Sequence, residues 1–218
     1  MPPRNAKERQ MRARLAQEAA RILAETGSRD FYAAKRKAAE HLGATDTRNM
    51  PRNTEIEDAL LTYQRLFRAE QQPAELHRLR QVAYRAMKFF SDFKPRLVGS
   101  VLQGSADENS TITLHLCAGT AEDIDMFLLG HHIPYKTSER RQRFGAEHYQ
   151  TMPAYRFLAE DTPVEVIVFP VDGPHHAPLS PVDGKPMQRA GLSTVADLLG
   201  NGPVVAAGKP ESREEIRD

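Results

Sequence analysis

Tryptophan is absent from this chain, and cysteine occurs once, at Cys117. A single thiol excludes an intramolecular disulfide framework and fits a reducing compartment. Aromatic residues make up only 7% of the 218 residues, and they do not interleave with basic ones as a base-stacking platform would require. No apolar run approaches 18 residues and the mean hydropathy is −0.56, so the sequence predicts no membrane partner. The first 23 residues, MPPRNAKERQMRARLAQEAARIL, lack the apolar centre of a secretory signal. Glu8 and Glu18 argue against an organellar transit peptide, and the expected location is the cytoplasm. No internal repeat is evident.

Forty per cent of the residues are hydrophobic, enough for a core. The net charge of +1 conceals an uneven distribution. Residues 1–94 hold 19 Lys/Arg against 12 Asp/Glu, and residues 95–218 hold 11 against 17. Such a division suits either a nucleic-acid surface on the basic part or two parts that dock on each other, and interleaved acids favour docking.

Residues 1–94 read as helical. Met11, Leu15, Ala19, Ile22 and Leu23 recur at helical spacing before Gly27, and an Ala-rich second helix ends at Gly43. After a loop around Pro51, Thr54 and Glu57 have the spacing of a capping box, and Ile56, Leu60, Tyr63 and Phe67 follow on one face. A fourth helix is expected from about Ala74 to Phe90, with Pro73 in its first turn and Leu76, Leu79, Ala83, Ala86 and Phe90 on one stripe.

After Pro95 the pattern turns β-like. RLVGSVL and TITLHL read as short strands. Alternation in the second puts Ile112, Leu114 and Leu116 on one face, with Thr111, Thr113 and His115 on the other. TAEDIDMFLLGHH follows as a helix with Thr120 as N-cap. The segments around Gly145 are expected to pair, and PVEVIVF is the most apolar strand. Residues 171–190 read as an extended Pro-rich wrap, and STVADLL as a last helix. The expected fold class is α+β. A helical region occupies 1–94, a mixed sheet with flanking helices and a Pro-rich wrap 95–200, and a flexible polar tail 201–218.

LVGSVLQGSADENSTITLHL, residues 97–116, resembles the polymerase-β-like nucleotidyltransferase superfamily, whose minimal members read Gly-Ser-x-x-x-Gly, a polar loop, then a strand carrying Asp-x-Asp. The resemblance covers about Pro95 to Pro170. It implies that Gly99, Ser100 and Gly104 form a phosphate-binding turn. Thr111 and Thr113 stand where the family's two metal-binding acids belong, and Glu165 stands for the third carboxylate. Transfer of a nucleotidyl group uses two Mg²⁺ ions, which want anionic oxygens that threonine cannot supply. The resemblance therefore implies a degenerate member that has lost metal-dependent catalysis and acts by binding or regulation, with a nucleotide or other phosphate as ligand. Two alternatives remain open. One is an active Mg²⁺-dependent nucleotidyltransferase using Glu165 with the loop acids Asp107 and Glu108. The other is a nucleic-acid-associated module using the basic helices of residues 1–94.

Other residues have plainer readings. Asp123 and Asp125 form a literal Asp-x-Asp, but on a helix they diverge by about 200° and suit the first-turn dipole. His115 is expected to hydrogen-bond Glu165 in the space a metal would fill. His131 and His132 suit a helix C-terminus, and His175 and His176 lack spaced metal-ligating partners. Arg140, Arg141 and Arg143 form the densest basic patch of residues 95–218, and Arg141 and Arg143 share one strand face, as an edge guard or a contact to phosphate or nucleic acid.

Overall fold

A computed structural model describes residues 4–28, 30–44, 50–67, 72–171 and 177–200. His175, His176 and the polar tail lie outside the described residues. The fold is α+β: seven α-helices and one five-stranded mixed sheet among those residues. Their order is α1 (Arg4–Thr26), α2 (Phe31–His41), α3 (Asn53–Phe67), α4 (Gln72–Phe89), β1 (Arg96–Val98), α5 (Gly99–Gln103), β2 (Ile112–Cys117), α6 (Ala121–Gly130), β3 (Lys136–Arg143), β4 (Tyr149–Ala159), β5 (Thr162–Phe169) and α7 (Leu192–Gly200).

The periodic stripes of α1, α2 and α3 meet in one core. Leu15, Ala19, Leu23, Ile56 and Leu60 are buried there, and the small Ala34, Ala38 and Ala39 let α2 approach closely. Gly27 ends α1 with a φ of +62°, and a Cβ on it would lie 1.8 Å from the Asn109 carbonyl oxygen. That position therefore needs glycine twice over, for its left-handed backbone and for the loop packed against it.

The capping box expected from Thr54 and Glu57 does not form at the start of α3. The Arg52 N–H donates to the Glu55 carboxylate at 2.6 Å, and Glu57 instead accepts from the Ser105 hydroxyl at 3.0 Å. The helix starts at Asn53, one residue before Thr54, so the carboxylate in reach of the first free N–H is that of Glu55. Glu55 also receives Arg12 of α1, which ties two helices of this core together.

The sheet order is β1-β2-β5-β4-β3, with β2 parallel to β5 and every other pair antiparallel. Ile112, Leu114 and Leu116 of β2 and Val164, Val166 and Val168 of β5 face α4, α6 and α7 across the main core. Alternation in β2 thus divides its residues as expected. Helix α4 packs here through Leu79, Ala83 and Ala86, with Phe90 just past its end, so a helix of the basic N-terminal part belongs to the sheet's core. Arg85 of α4 pairs with Glu160 after β4, joining the basic and acidic parts.

RLVGSVL divides differently from the expected strand. Only Arg96–Val98 is extended, and Gly99–Gln103 makes one helical turn. Gly99 (φ +73°) opens that turn and Gly104 (φ +88°) closes it, its N–H donating to the Ser100 carbonyl at 2.8 Å. Two left-handed glycines bracketing four residues override the local β propensity. The other face of the sheet carries a smaller apolar group, Met152, Ala154, Ile167 and Phe169. Residues 177–190 run back along the sheet and bridge to β1 through Leu97 and Ala190.

Candidate functional site

The turn at Gly99 opens onto the face of the sheet opposite the main core. A cavity of about 150 Å³ lies there, and Gly99, Ser100, Thr113 and His115 all line it. Its other walls come from distant parts of the chain: Phe31 of α2, Gln142 of β3, and the wrap at Pro181, Val182 and Met187. The wrap is latched to α3, since the Asn53 amide donates to the Pro181 carbonyl at 2.5 Å.

The expected site residues separate into groups. Gly99, Ser100 and Thr113 share the cavity. Thr111 immediately precedes β2 and does not line it. Gly104 faces α4, with Leu76 and Arg80 nearest, and its carbonyl accepts from Gln72. Glu165 lies beside the cavity, directly opposite Thr113 in the β2–β5 register.

Glu165 is buried, with its side chain only 9% exposed, and it is fully engaged. Arg140 of β3 grips both carboxylate oxygens, Nε to Oε2 at 3.0 Å and Nη2 to Oε1. Arg156 of β4, its cross-strand neighbour, donates to Oε1 at 3.0 Å. The carboxylate in turn raises the Arg140 pKa, chiefly through that hydrogen bond. Two guanidiniums on one carboxylate leave a local excess of positive charge. This donor set does not suit Mg²⁺: residues 111 and 113 offer hydroxyls, and a divalent ion at Glu165 would face two fixed cations. Among the described residues, no group of three or more His, Cys, Asp or Glu side chains is placed to hold a metal.

The loop acids lie elsewhere. Asp107 is buried, accepts from the Ser110 hydroxyl at 3.1 Å and from the Asn109 N–H at 3.2 Å, and packs near Leu23 and Leu60 of the helical core. Glu108 is exposed. Asp123 accepts from the Thr120 N–H at the start of α6, and Asp125 accepts hydroxyls from Tyr135 at 2.6 Å and Tyr155 at 3.0 Å. The literal Asp-x-Asp therefore splits between a helix cap and a tyrosine pair.

His115 does not bond Glu165 as expected. Its ring packs on Phe169 at 4.5 Å between centroids, and its Nδ1 has no hydrogen-bond partner. The arginines have taken the carboxylate, and β5 presents Phe169 next to the histidine instead. Only 2% of His115 is exposed, and burial, helped by the charge of Arg189, lowers its pKa to about 3. The imidazole is neutral at pH 7.

Sequence reasoning noted Arg140 only as part of a basic patch and missed its pairing with Glu165, as well as Arg156, Phe31 and the wrap residues. Alternation did hold one signal, since Arg140 and Gln142 must face away from Arg141 and Arg143. Arg141 indeed lies over the Tyr149 ring at 4.0 Å. His131 sits at the end of α6, its Nδ1 2.8 Å from the Phe127 carbonyl oxygen. Several basic residues of the N-terminal helices are paired with acids, including Arg12 with Glu55 and Arg21 with Glu18 and Glu25. Among the described residues, no helix is long and apolar enough to cross a membrane.

No family model matches the chain, and neither a curated protein nor a solved structure matches it.

Proposed function

We propose that this chain is a nucleotidyltransferase-like protein that binds a small ligand beside its Gly99–Ser100 turn and does not carry out metal-dependent transfer. The observation that carries the reading is the state of Glu165. The one carboxylate left at the family's metal positions is held by Arg140 and Arg156, while Thr113 opposite it lines a cavity with the turn. In an active enzyme that carboxylate would be free to hold a divalent ion against a triphosphate. Here guanidiniums supply the counter-charge permanently. Relocating the acids to Asp107 gains no support from its position, because its carboxylate serves Ser110 and Asn109 against the helical core. The reading as a nucleic-acid module gains none from the paired arginines of α1.

The test is direct. Full-length protein with Mg²⁺ or Mn²⁺ and labelled ATP or CTP is expected to give no transfer above that of the Glu165→Gln variant. Metal-dependent transfer that disappears in Glu165→Gln would overturn the reading.

A further inference from the structure

We propose that the cavity beside Gly99 and Ser100 is a binding site for an uncharged molecule of about one six-membered ring, whose polar edge hydrogen-bonds His115. This rests on the reading of the chain as a binding protein and names the chemistry of its ligand.

Size sets the first limit. A volume of about 150 Å³ corresponds to roughly five waters at about 30 Å³ each, and an apolar cavity of that size admits benzene. A whole nucleoside triphosphate would have to extend out of its open side into solvent, because sites that enclose ligands of that class are several times larger.

Charge sets the second. Among the described residues, the lining contains no Lys, Arg, Asp or Glu. His115 is neutral, so it offers a hydrogen bond and no counter-charge. Guanidiniums lie near this lining but outside it: Arg140 and Arg156 are bound to Glu165, and Arg189 acts on His115 through its charge. A phosphate or carboxylate in the cavity therefore loses hydration without touching a cation of the lining, at a cost that grows with net charge. An uncharged guest avoids that cost.

Polarity sets the third. Phe31, Val98, Ile167, Val182 and Met187 give an apolar wall, while Ser100, Thr113, Gln142 and His115 give hydrogen-bonding groups. Mostly apolar walls with a few convergent polar groups are the usual make-up of a small-molecule site. His115 lines the cavity, and its unpaired Nδ1 is buried just behind that lining, within a guest's reach once the ring turns. Buried polar atoms in folded proteins are almost always paired, and an unpaired one destabilises the fold.

The site is also assembled from far apart. Helix α2, the sheet and the wrap each contribute a wall, so a bound molecule touches all three.

The experiment uses full-length protein with ¹⁵N-labelled histidine at pH 7, with phenol, benzene and inorganic phosphate as separate probes. Phenol keeps its proton at this pH, as tyrosine does. The His115 ring-nitrogen signals, assigned through His115→Phe, are expected to shift with phenol and to remain unchanged with phosphate. Phenol is expected to bind about tenfold more tightly than benzene, the gain of one net hydrogen bond. That tenfold preference should vanish in His115→Phe, while Met187→Trp, which fills the cavity, should weaken both aromatic probes. The wild-type spectra carry the test even if a variant fails to fold. Equal binding of phenol and benzene would remove His115 as the anchor and overturn the proposal. Silence of the His115 signals toward all probes would mean that the cavity holds water only, which also overturns it. A response to phosphate without one to phenol would overturn the uncharged ligand while leaving the binding function intact. Failure of the binding function has its own signature, metal-dependent transfer lost in Glu165→Gln.

Discussion

Thr113 and Glu165 lie directly opposite one another in the parallel β2–β5 pair, and their side chains have different fates. The threonine lines the cavity, and the glutamate is turned to Arg140 and Arg156. In register across β3, β4, β5 and β2 this row reads Lys136, Arg156, Glu165, Thr113. One buried carboxylate thus anchors two cationic side chains on the sheet face that also carries Ile167 and Phe169.

Glu165→Gln should therefore destabilise the fold. Breaking a buried ion pair by removing one partner costs about 3–5 kcal/mol, but Arg140 and Arg156 are 39% and 50% exposed and can be rehydrated. The expected loss is about 1–3 kcal/mol, measured by urea denaturation at pH 7. Adding Arg140→Gln should recover part of it, because the second variant no longer strands that guanidinium. A Glu165→Gln protein as stable as the parent would show the cluster to be energetically idle.

The same cluster governs any attempt to rebuild a metal site. Thr111→Asp with Thr113→Asp puts one new acid opposite Glu165 and a second just before β2, and the guanidiniums on Glu165 compete with a metal for the first. The double variant is expected to gain little from Mg²⁺, less than about 1 kcal/mol. With Arg140→Gln and Arg156→Gln added, Mg²⁺ at ten times its Kd should stabilise by about 1.4 kcal/mol, seen as a rise in Tm. A large Mg²⁺ response in the parent chain would contradict this account of the arginines.

Acid sensitivity should trace to His115. Its pKa is lowered from 6.5 to about 3 in the folded state, so between those values the unfolded chain binds a proton that the folded chain refuses. Stability then falls as pH drops from about 6 toward 3, by up to about 1.4 kcal/mol per pH unit, and is unaffected by this group above pH 7. His115→Gln should flatten that one-proton slope. Denaturation curves at pH 4, 5, 6 and 7 for both proteins measure it, and an unchanged slope in the variant would place the acid sensitivity elsewhere.

Glu18 contributes to acid sensitivity at lower pH. Hydrogen bonds from Arg21, then from His41, hold its pKa at about 2. A depressed carboxylate stabilises above its unfolded value near 4.5, and the contribution disappears as pH falls toward 2. Glu18→Gln should cost about 1 kcal/mol at pH 7 after solvent screening, and nothing near pH 2.

Gly27→Ala should be among the most damaging single-methyl changes in the chain. The new Cβ would meet the Asn109 carbonyl at 1.8 Å, and the residue would be left-handed. Overpacking and backbone strain together suggest about 2–4 kcal/mol, measured by urea denaturation. A loss below 1 kcal/mol would mean that the loop at residues 107–110 yields freely.

The amino-acid sequence by itself determined the elements and their faces. Helical spacing in α1, α3 and α4, alternation in β2, and the glycines after α1 and α2 are local features, and local sterics and periodicity suffice to read them. Alternation alone also separated Ile112, Leu114 and Leu116 from Thr113 and His115. Local signals misled where two neighbouring acids competed for one cap, at Glu55 and Glu57, and where two left-handed glycines turned GSVLQ into a helical turn. Only the tertiary structure decided the partners. Glu165 lies 25 residues from Arg140 in the sequence, and their meeting depends on strand order and register. Phe31, His115 and Met187 come together only when α2, β2 and the wrap converge. Whether His115 is charged, and whether Glu165 is free, are set by solvent exclusion and neighbouring charge, quantities that exist only once the chain has folded.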